Sequence, residues 1–411
     1  MTYIPITEMK VGLDFGKKPI SVGRLASRNN QIYFEYDADF LKLNLSLSPL
    51  RLPLERGLKT FDRGLFEGLP GLFNDSLPDG WGRLLLDRSL REKGIIPSEL
   101  TPLDRLAHVG TTGMGALIYE PDHHDVKKIN KINLDLLAST SQQVLDGTAK
   151  DVLLTLLALN GSSAGARPKV MIGIDKNKKN IMHGEHVLPS NYAHWLVKFC
   201  NVQDGADAGA IEYVYSLMAR AAGLTMTDTH LFPAKNGGGY FATQRFDREK
   251  SKRVHMHTVC GLLHSDFRSP SLDYEDLLAL TSTLTRDVHD VEKMFRHAVF
   301  NVLSHNRDDH AKNFSFLMSD VGEWKLSPAY DLTFSSGPGG EQSTMVIGKG
   351  KQITRDDLMQ LGLRAKLDNK VINNIIDQTQ SALSQWRELA NQYGVSRANI
   401  KLIEKSLLLL F

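Results

Sequence analysis

Cysteine is nearly absent from this 411-residue chain: Cys200 and Cys260 are the only two. Two cysteines cannot build a disulfide framework, which fits a reducing cytosol. Charge of one sign is missing too, since 49 Lys and Arg against 47 Asp and Glu leave a formal net charge of +2. Global electrostatics therefore gives no reason to bind nucleic acid or an anionic membrane. No apolar run approaches the roughly 20 residues that span a bilayer. The start, "MTYIPITEMK", has no basic-then-apolar layout, so no secretory leader and a cytoplasmic location are expected. There is no Gly-Lys-Ser/Thr loop before a helix, no dinucleotide fingerprint and no H-E-x-x-H. The histidine pairs 123/124 and 255/257 lack zinc-site spacing, and read as surface or core residues.

What is present is an ordinary globular composition, 42% hydrophobic and 23% charged, long enough for two or three domains. Short strand-like runs fill the first part of the chain around a Gly/Pro/Asp-rich centre, "FNDSLPDGWGRLLLDRSLREKG". There Asp79 or Gly80 can cap a helix from about Trp81 to Lys93, stopped by Gly94. The polar stretch "EPDHHDVKKINK" reads as a loop or boundary, followed by a buried helix over Val152 to Leu159. From Val170 to about Thr243 strands alternate with turns. They are interrupted by the helix "AIEYVYSLMARAAGL", on which Ile211, Val214, Tyr215, Met218 and Ala222 share one face. Beyond residue 255 the pattern is mostly helical, ending in one long helix, "VINNIIDQTQSALSQWRELANQY". A small strand-rich lobe before a larger helical lobe is one way to build a two-lobed phosphotransferase.

The stretch "SHNRDDHAKNFSFL" crowds two aspartates, two histidines and two asparagines in front of an apolar strand. A turn at "SDVGE" and a second strand, "WKLSPAY", lead on to Asp331, so Asn313 and Asp331 fall at the open ends of a hairpin. Asp308 precedes Asn313 by five positions, the interval of the protein-kinase catalytic loop, in which Asp is the base and Asn binds metal. Asp309 misses that interval by one. Phosphoryl transfer needs a carboxylate to orient the acceptor hydroxyl and oxygen ligands for Mg²⁺. Asp308, Asn313 and Asp331 can supply them, and Lys312 can offset charge on the moving phosphoryl group. The rival reading is a capped, solvated turn, which Asp and Asn also favour.

Two further stretches bear on the choice. "NGSSAGARPK" is a small-residue loop whose backbone N–H groups can approach phosphates, with Arg167 and Lys169 adding charge; a plain linker is the alternative. In "HWLVKFC", Lys198 stands within an apolar strand like the phosphate-pairing lysine of kinases, with Glu212 as candidate partner. A snorkelling surface lysine is the alternative there.

In order along the chain, "FNDSLPDGWGRLLLDR", "SSAGARPK", "LVKF", "QRFDR", "NRDDHAKNFSF" and "LSPAYDL" resemble the segments of the HipA family, the kinase toxins of bacterial HipA–HipB toxin–antitoxin pairs. The resemblance implies an α+β, two-lobed protein-kinase-like fold with a strand-rich N-terminal part and an all-helical C-terminal lobe. It divides the chain into an N-terminal subdomain (1–148), a kinase N-lobe with phosphate loop and hinge (149–250) and a C-lobe (251–411). It implies a Ser/Thr kinase using ATP and Mg²⁺, with Asp308 as base and Asn313 and Asp331 as metal ligands. Ala164, Gly165, Ala166, Arg167, Lys169, Lys198, Gln244, Arg245, Phe246, His310, Lys312 and Tyr330 fall where the family contacts ATP. Ser162 falls at the inhibitory autophosphorylation position, with Ser163 beside it as a second acceptor. Its partners would be a helix-turn-helix antitoxin of HipB type, DNA only through that antitoxin, and a protein substrate. Aminoacyl-tRNA synthetases are the substrates of the best-known members. This loop reads "AGARPK" where the more familiar form reads "AGAQEK", and Pro168 stiffens it and removes an N–H, which leaves that substrate open. The alternatives are a DNA-bound co-repressor with little catalysis and a small-molecule phosphotransferase.

Overall fold

The computed structural model describes residues 3–124, 132–148, 153–160, 165–184, 187–201, 204–269 and 271–407. Its N-terminal part is an antiparallel sheet of β1 (Glu8–Leu13), β2 (Ile20–Arg28), β3 (Gln31–Tyr36), β4 (Lys59–Thr60) and β5 (Leu117–Glu120), in the order β4-β3-β2-β1-β5. Met9, Val11 and Leu13 alternate inward along β1, the period-two pattern of a sheet with one covered face. They meet Phe34, Phe40, Phe73 and Leu106 in one core.

A second antiparallel sheet consists of β6 (Lys169–Asp175), β7 (Ile181–His183), β8 (Tyr192–Lys198), β9 (Thr229–Phe232) and β10 (Tyr240–Gln244), ordered β7-β6-β8-β10-β9. Every residue of β6 is buried, because helices and loops cover the sheet. Two of the covering helices are α1 (Gly80–Glu92) and α2 (Leu153–Asn160): Trp81, Leu85, Leu156 and Leu159 pack with Val170, Ile172 and Val197. So α1, far upstream in sequence, belongs to the core of the second sheet. Helix α3 (Ala208–Ala221) presents its expected apolar face to the last and largest core. Gly223, at φ +83°, then ends that helical segment.

The last lobe is built on α4 (Tyr274–Thr285), α5 (Val288–Leu303) and the helices beyond residue 354. It is helical in bulk rather than throughout, because the polar loop leaves α5 on a strand. β11 (His255–Thr258), β12 (Ser315–Met318) and β13 (Trp324–Leu326) form a three-stranded sheet, with Phe316 opposite Leu326. The expected second strand shortens to three residues, since Pro328 follows and removes a ladder donor. The expected C-terminal helix is also two, Asn369–Leu383 and Trp386–Gln392. The bend at Ser384 and Gln385 lets Trp386 turn inward, where its indole N–H donates to the Ile400 carbonyl at 3.1 Å.

Buried polar groups pin the N-terminal sheet to the lobes. His257 contacts Asp75 (2.6 Å) and Ser48 (3.0 Å), while His255 contacts the Leu47 carbonyl at 3.2 Å. Both rings are fully buried, which accounts for this histidine pair as core residues. Beside them Asp247 accepts from Arg245 (2.9 and 2.7 Å), Arg248 (2.6 Å) and the Gly115 N–H (2.8 Å). Although burial raises the Asp247 pKa, Arg245 and Arg248 hold it far below the ordinary 3.8.

Removing this carboxylate strands buried guanidinium groups, so Asp247→Ala should cost about 3–5 kcal/mol of stability in urea unfolding at neutral pH. A depressed folded-state pKa gives stability that is full above the unfolded value and lost below it. The difference between wild type and variant should therefore shrink as pH falls below 3.8.

Candidate active site

Lys198 ends β8, and its ammonium lies between two carboxylates: Glu212 of α3 at 2.5 Å and Asp331 after β13. Glu212 is 2% exposed, so its charge depends on its neighbours. A second cation, Arg167, reaches Glu212 at 3.4 Å and Asp204 at 3.1 Å. Lys169 opens β6 opposite Lys198 in the ladder. Arg167 is thus engaged by protein carboxylates rather than held out toward a ligand.

Asp331 adopts φ +58°, a left-handed conformation uncommon for an acidic residue, at the point where the chain leaves the β12–β13 hairpin. Tyr330 beside it donates its hydroxyl to the Lys312 carbonyl at 2.7 Å, which joins the two ends of the hairpin. Asn313 closes a one-turn 3₁₀ segment, and its Nδ2 donates to the Asp308 carbonyl at 2.6 Å. Its Oδ1 is then the atom it can offer a cation. Asp308 is 59% exposed at its side chain, 3.9 Å from the His310 ring. Asp309 points the other way and is fully buried, accepting from the Tyr274 hydroxyl (2.6 Å), Gln342 (3.1 Å) and the N–H groups of Ser343 (2.8 Å) and Thr344 (3.2 Å). Of the two adjacent aspartates, the one chosen by spacing is the one facing outward.

The stretch expected to be a hinge, "QRFDR", begins at the last residue of β10. The N–H groups of Gln244 and Arg245 donate to the carbonyls of Asp228 and His194, both at 2.9 Å. Phe246 lies against the Tyr330 ring, centroids 5.5 Å apart. The Arg245 guanidinium is turned into the Asp247 cluster and to Met171 at 2.8 Å. Ser162, Ser163 and Ala164 lie outside the described residues; Gly165, Ala166, Arg167 and Lys169 are within them.

Two family models match the chain: the HipA-like C-terminal domain over residues 161–386 and the HipA N-terminal domain over residues 17–120. The first alone covers more than half of the sequence. The chain belongs to the HipA-like family. Two relatives from Sinorhizobium fredii carry the names "Putative kinase Y4mE" and "Putative kinase Y4dM". Y4mE is 25% identical over 406 residues, 91% of either chain. Y4dM is 25% identical over 386 residues, 89% of this chain and 86% of its own. In structure the chain is similar to HipA of Shewanella oneidensis MR-1, solved with HipB and operator DNA. The TM-score is 0.69 at 16% identity, covering 98% of this chain and 96% of that one. The fold is therefore the two-lobed, kinase-like HipA fold.

In this HipA-like site the charges are arranged unequally. Burial works against the Lys198 ammonium, but Asp331 and Glu212 together raise its pKa. Burial and the nearby Lys198 push Lys169 down to about 8. Asp331 resists burial through Lys198 and Lys169, which hold its carboxyl well below the carboxylate range. Loss of water raises Asp308, and the Asp331 charge adds to this while His310 opposes it. A carboxylate of raised basicity thus lies near one of depressed basicity.

Asp79 was legible in sequence only as a helix cap. It does stand at the N-cap of α1, yet its side chain makes no cap bond. Its carboxylate accepts instead from the Gly165 N–H and from the Lys312 ammonium. The one local signal is the Asp-Gly pair before the helix, since Gly80 takes φ +42°. The partners lie 86 and 233 positions away.

Burial raises Asp309 to about 7, against its hydrogen bonds, from an ordinary 3.8. A raised carboxyl gives stability that is full below the unfolded pKa and lost as pH climbs through the folded one. Asp309→Asn should therefore gain stability relative to wild type between pH 4 and 7, as read by thermal melts across that range. A difference that stays flat with pH would contradict this.

Proposed function

We propose that the chain is an ATP-dependent Ser/Thr protein kinase acting as a toxin. The observation that carries this is the Lys198 ammonium held between Glu212 of α3 and Asp331 beyond the catalytic hairpin. A lysine on a sheet strand, paired with a helix glutamate beside a metal-binding aspartate, is the arrangement kinases use to hold the α/β-phosphates. The kinase names of the Sinorhizobium relatives support the same reading.

In this reading Asp308 accepts the proton of a substrate hydroxyl. The hydroxyl oxygen bonds the γ-phosphorus as the bond to the β-phosphate oxygen breaks, leaving ADP. Lys312 and the loop N–H groups receive the charge that develops on the phosphoryl oxygens. Asn313 and Asp331 would hold Mg²⁺, being an amide oxygen and a carboxylate that stays ionised. Held there, the cation would supply positive charge against the phosphate oxygens. Among the described residues no group of three or more His, Cys, Asp or Glu side chains is gathered for a metal. Two protein ligands suit an ion that completes its shell with phosphate and water.

The gathering of Phe246 and Tyr330 next to the Gln244–Phe246 backbone supports an adenine site at the hinge. A HipB-like helix-turn-helix antitoxin is the partner we infer, by likeness to the Shewanella HipA solved with HipB and operator DNA. Control by phosphate at Ser162 or Ser163 belongs to the same reading. No helix among the described residues is long and apolar enough to cross a membrane.

Incubation of the purified protein with labelled Mg-ATP and a lysate tests the proposal. Asp308→Asn should lower phosphoryl transfer by about 10²- to 10⁴-fold, the usual worth of a general base, with an unchanged melting curve. Full turnover in that variant would sink the assignment. Asp331→Asn should weaken nucleotide binding in the presence of Mg²⁺ more than in its absence, in paired titrations with and without chelator.

A further inference from the structure

Residues 79–81 carry the N-terminal subdomain to the phosphate loop at Gly165. The Asp79 carboxylate has two oxygens in use. Oδ1 accepts the Gly165 N–H of the phosphate loop, and Oδ2 accepts the Lys312 ammonium of the catalytic loop. Trp81 then donates its N–H back to the Gly165 carbonyl at 3.1 Å. Both backbone groups of Gly165 are thereby taken by the same turn of α1. Gly80 permits this approach, because a Cβ there would lie 2.6 Å from the Gly165 carbonyl oxygen. At Gly165 itself φ is +104°, and a Cβ would strike the Lys169 ammonium.

The setting makes the contact strong and specific. Side chains of Asp79 and Lys312 are 15% and 9% exposed, so little water screens the pair. The Lys312 ammonium also lies over the Phe267 ring at 4.4 Å, which leaves it few orientations. The helix does not need the Asp79 side chain, since no cap bond forms. This carboxylate therefore serves a contact outside its own element.

We propose that Asp79 is a positioning residue for phosphoryl transfer. By fastening the phosphate loop and the catalytic-loop lysine to one carboxylate, it sets where Lys312 and the loop N–H groups meet the γ-phosphate. The inference rests on the kinase reading above. It makes the N-terminal subdomain a working part of the nucleotide site rather than an appendage.

The effect should be selective for the terminal phosphate. Asp79→Asn keeps an oxygen for Gly165 but removes the charge that orients Lys312. In titrations with ATP and with ADP, this variant should lose about tenfold in ATP affinity and less than about threefold for ADP, as expected for coupled neighbours. In a Lys312→Gln background the same substitution should change ATP affinity less than about twofold, since the group it acts through is gone. Gly80→Ala, which drives Gly165 away from the same turn, should reproduce the loss of ATP over ADP and gives a second variant if Asp79→Asn does not fold. Equal losses for ATP and ADP, additive effects with Lys312→Gln, or a gain in ATP affinity (Asp79 then being a competitor for the phosphate) would each overturn the inference. A wild-type protein that takes no nucleotide would remove the kinase reading and this inference together. Nucleotide binding in wild type with no change in Asp79→Asn would remove this inference alone.

Discussion

The Lys198 ammonium is the interaction on which the arrangement turns. A buried cation with a single buried anion barely repays its loss of water. Lys198 instead has two carboxylates, and they come from different places in the fold. Glu212 arrives on α3, which packs with the large helical core, and Asp331 arrives on the chain leaving the β12–β13 hairpin. The ion triad can form only when the second sheet, α3 and the hairpin are all in register. One ammonium therefore makes the relative placement of the lobes a condition for a satisfied core.

Two further charge clusters repeat this logic at the other seams. Asp247 gathers Arg245 and Arg248 and takes the Gly115 N–H, joining the segment after β10 to the N-terminal part. Arg253 completes it by donating to carbonyls of Thr111, Gly115 and Leu117. Asp75 does the same through His257 and Thr258. At each seam the apolar cores stop and a carboxylate supplies directional bonds that packing alone would not. Hydrophobic burial favours closeness without choosing a geometry, whereas a bidentate or multiply bonded carboxylate chooses one.

How much of this was legible in the sequence depended on range. Helix ends announced themselves through local rules: Gly94 and Gly223 follow their helices at positive φ. The β12–β13 hairpin was legible because its signals lie within 25 residues, and the five-residue interval picked out Asp308, the exposed member of the Asp308–Asp309 pair. The break before Trp386 was not, since the helical pattern runs through it and only the Ile400 carbonyl across the core explains the turn. Arg167 had the right charge for a phosphate, but its pairing with Glu212 and Asp204 depends on α3 being docked. Asp79 lay furthest from view, because a capping residue and a long-range ligand look alike until the partners are in place.

That last ambiguity has a physical root. The same short, acidic side chain satisfies a helix N-terminus and bridges two loops, and both uses favour an Asp before a permissive glycine. What separates them is where the carboxylate's oxygens go. In α1 the first-turn N–H groups receive nothing from the Asp79 side chain, and the Trp81 N–H is directed outward to Gly165. The helix start thus offers the Trp81 N–H and the Asp79 carboxylate to Gly165 together, one binding its carbonyl and the other its N–H. With both its N–H and its C=O bonded to the same turn, Gly165 cannot change conformation without breaking at least one of these bonds. This glycine, at positive φ, would otherwise be the least constrained point of the described loop.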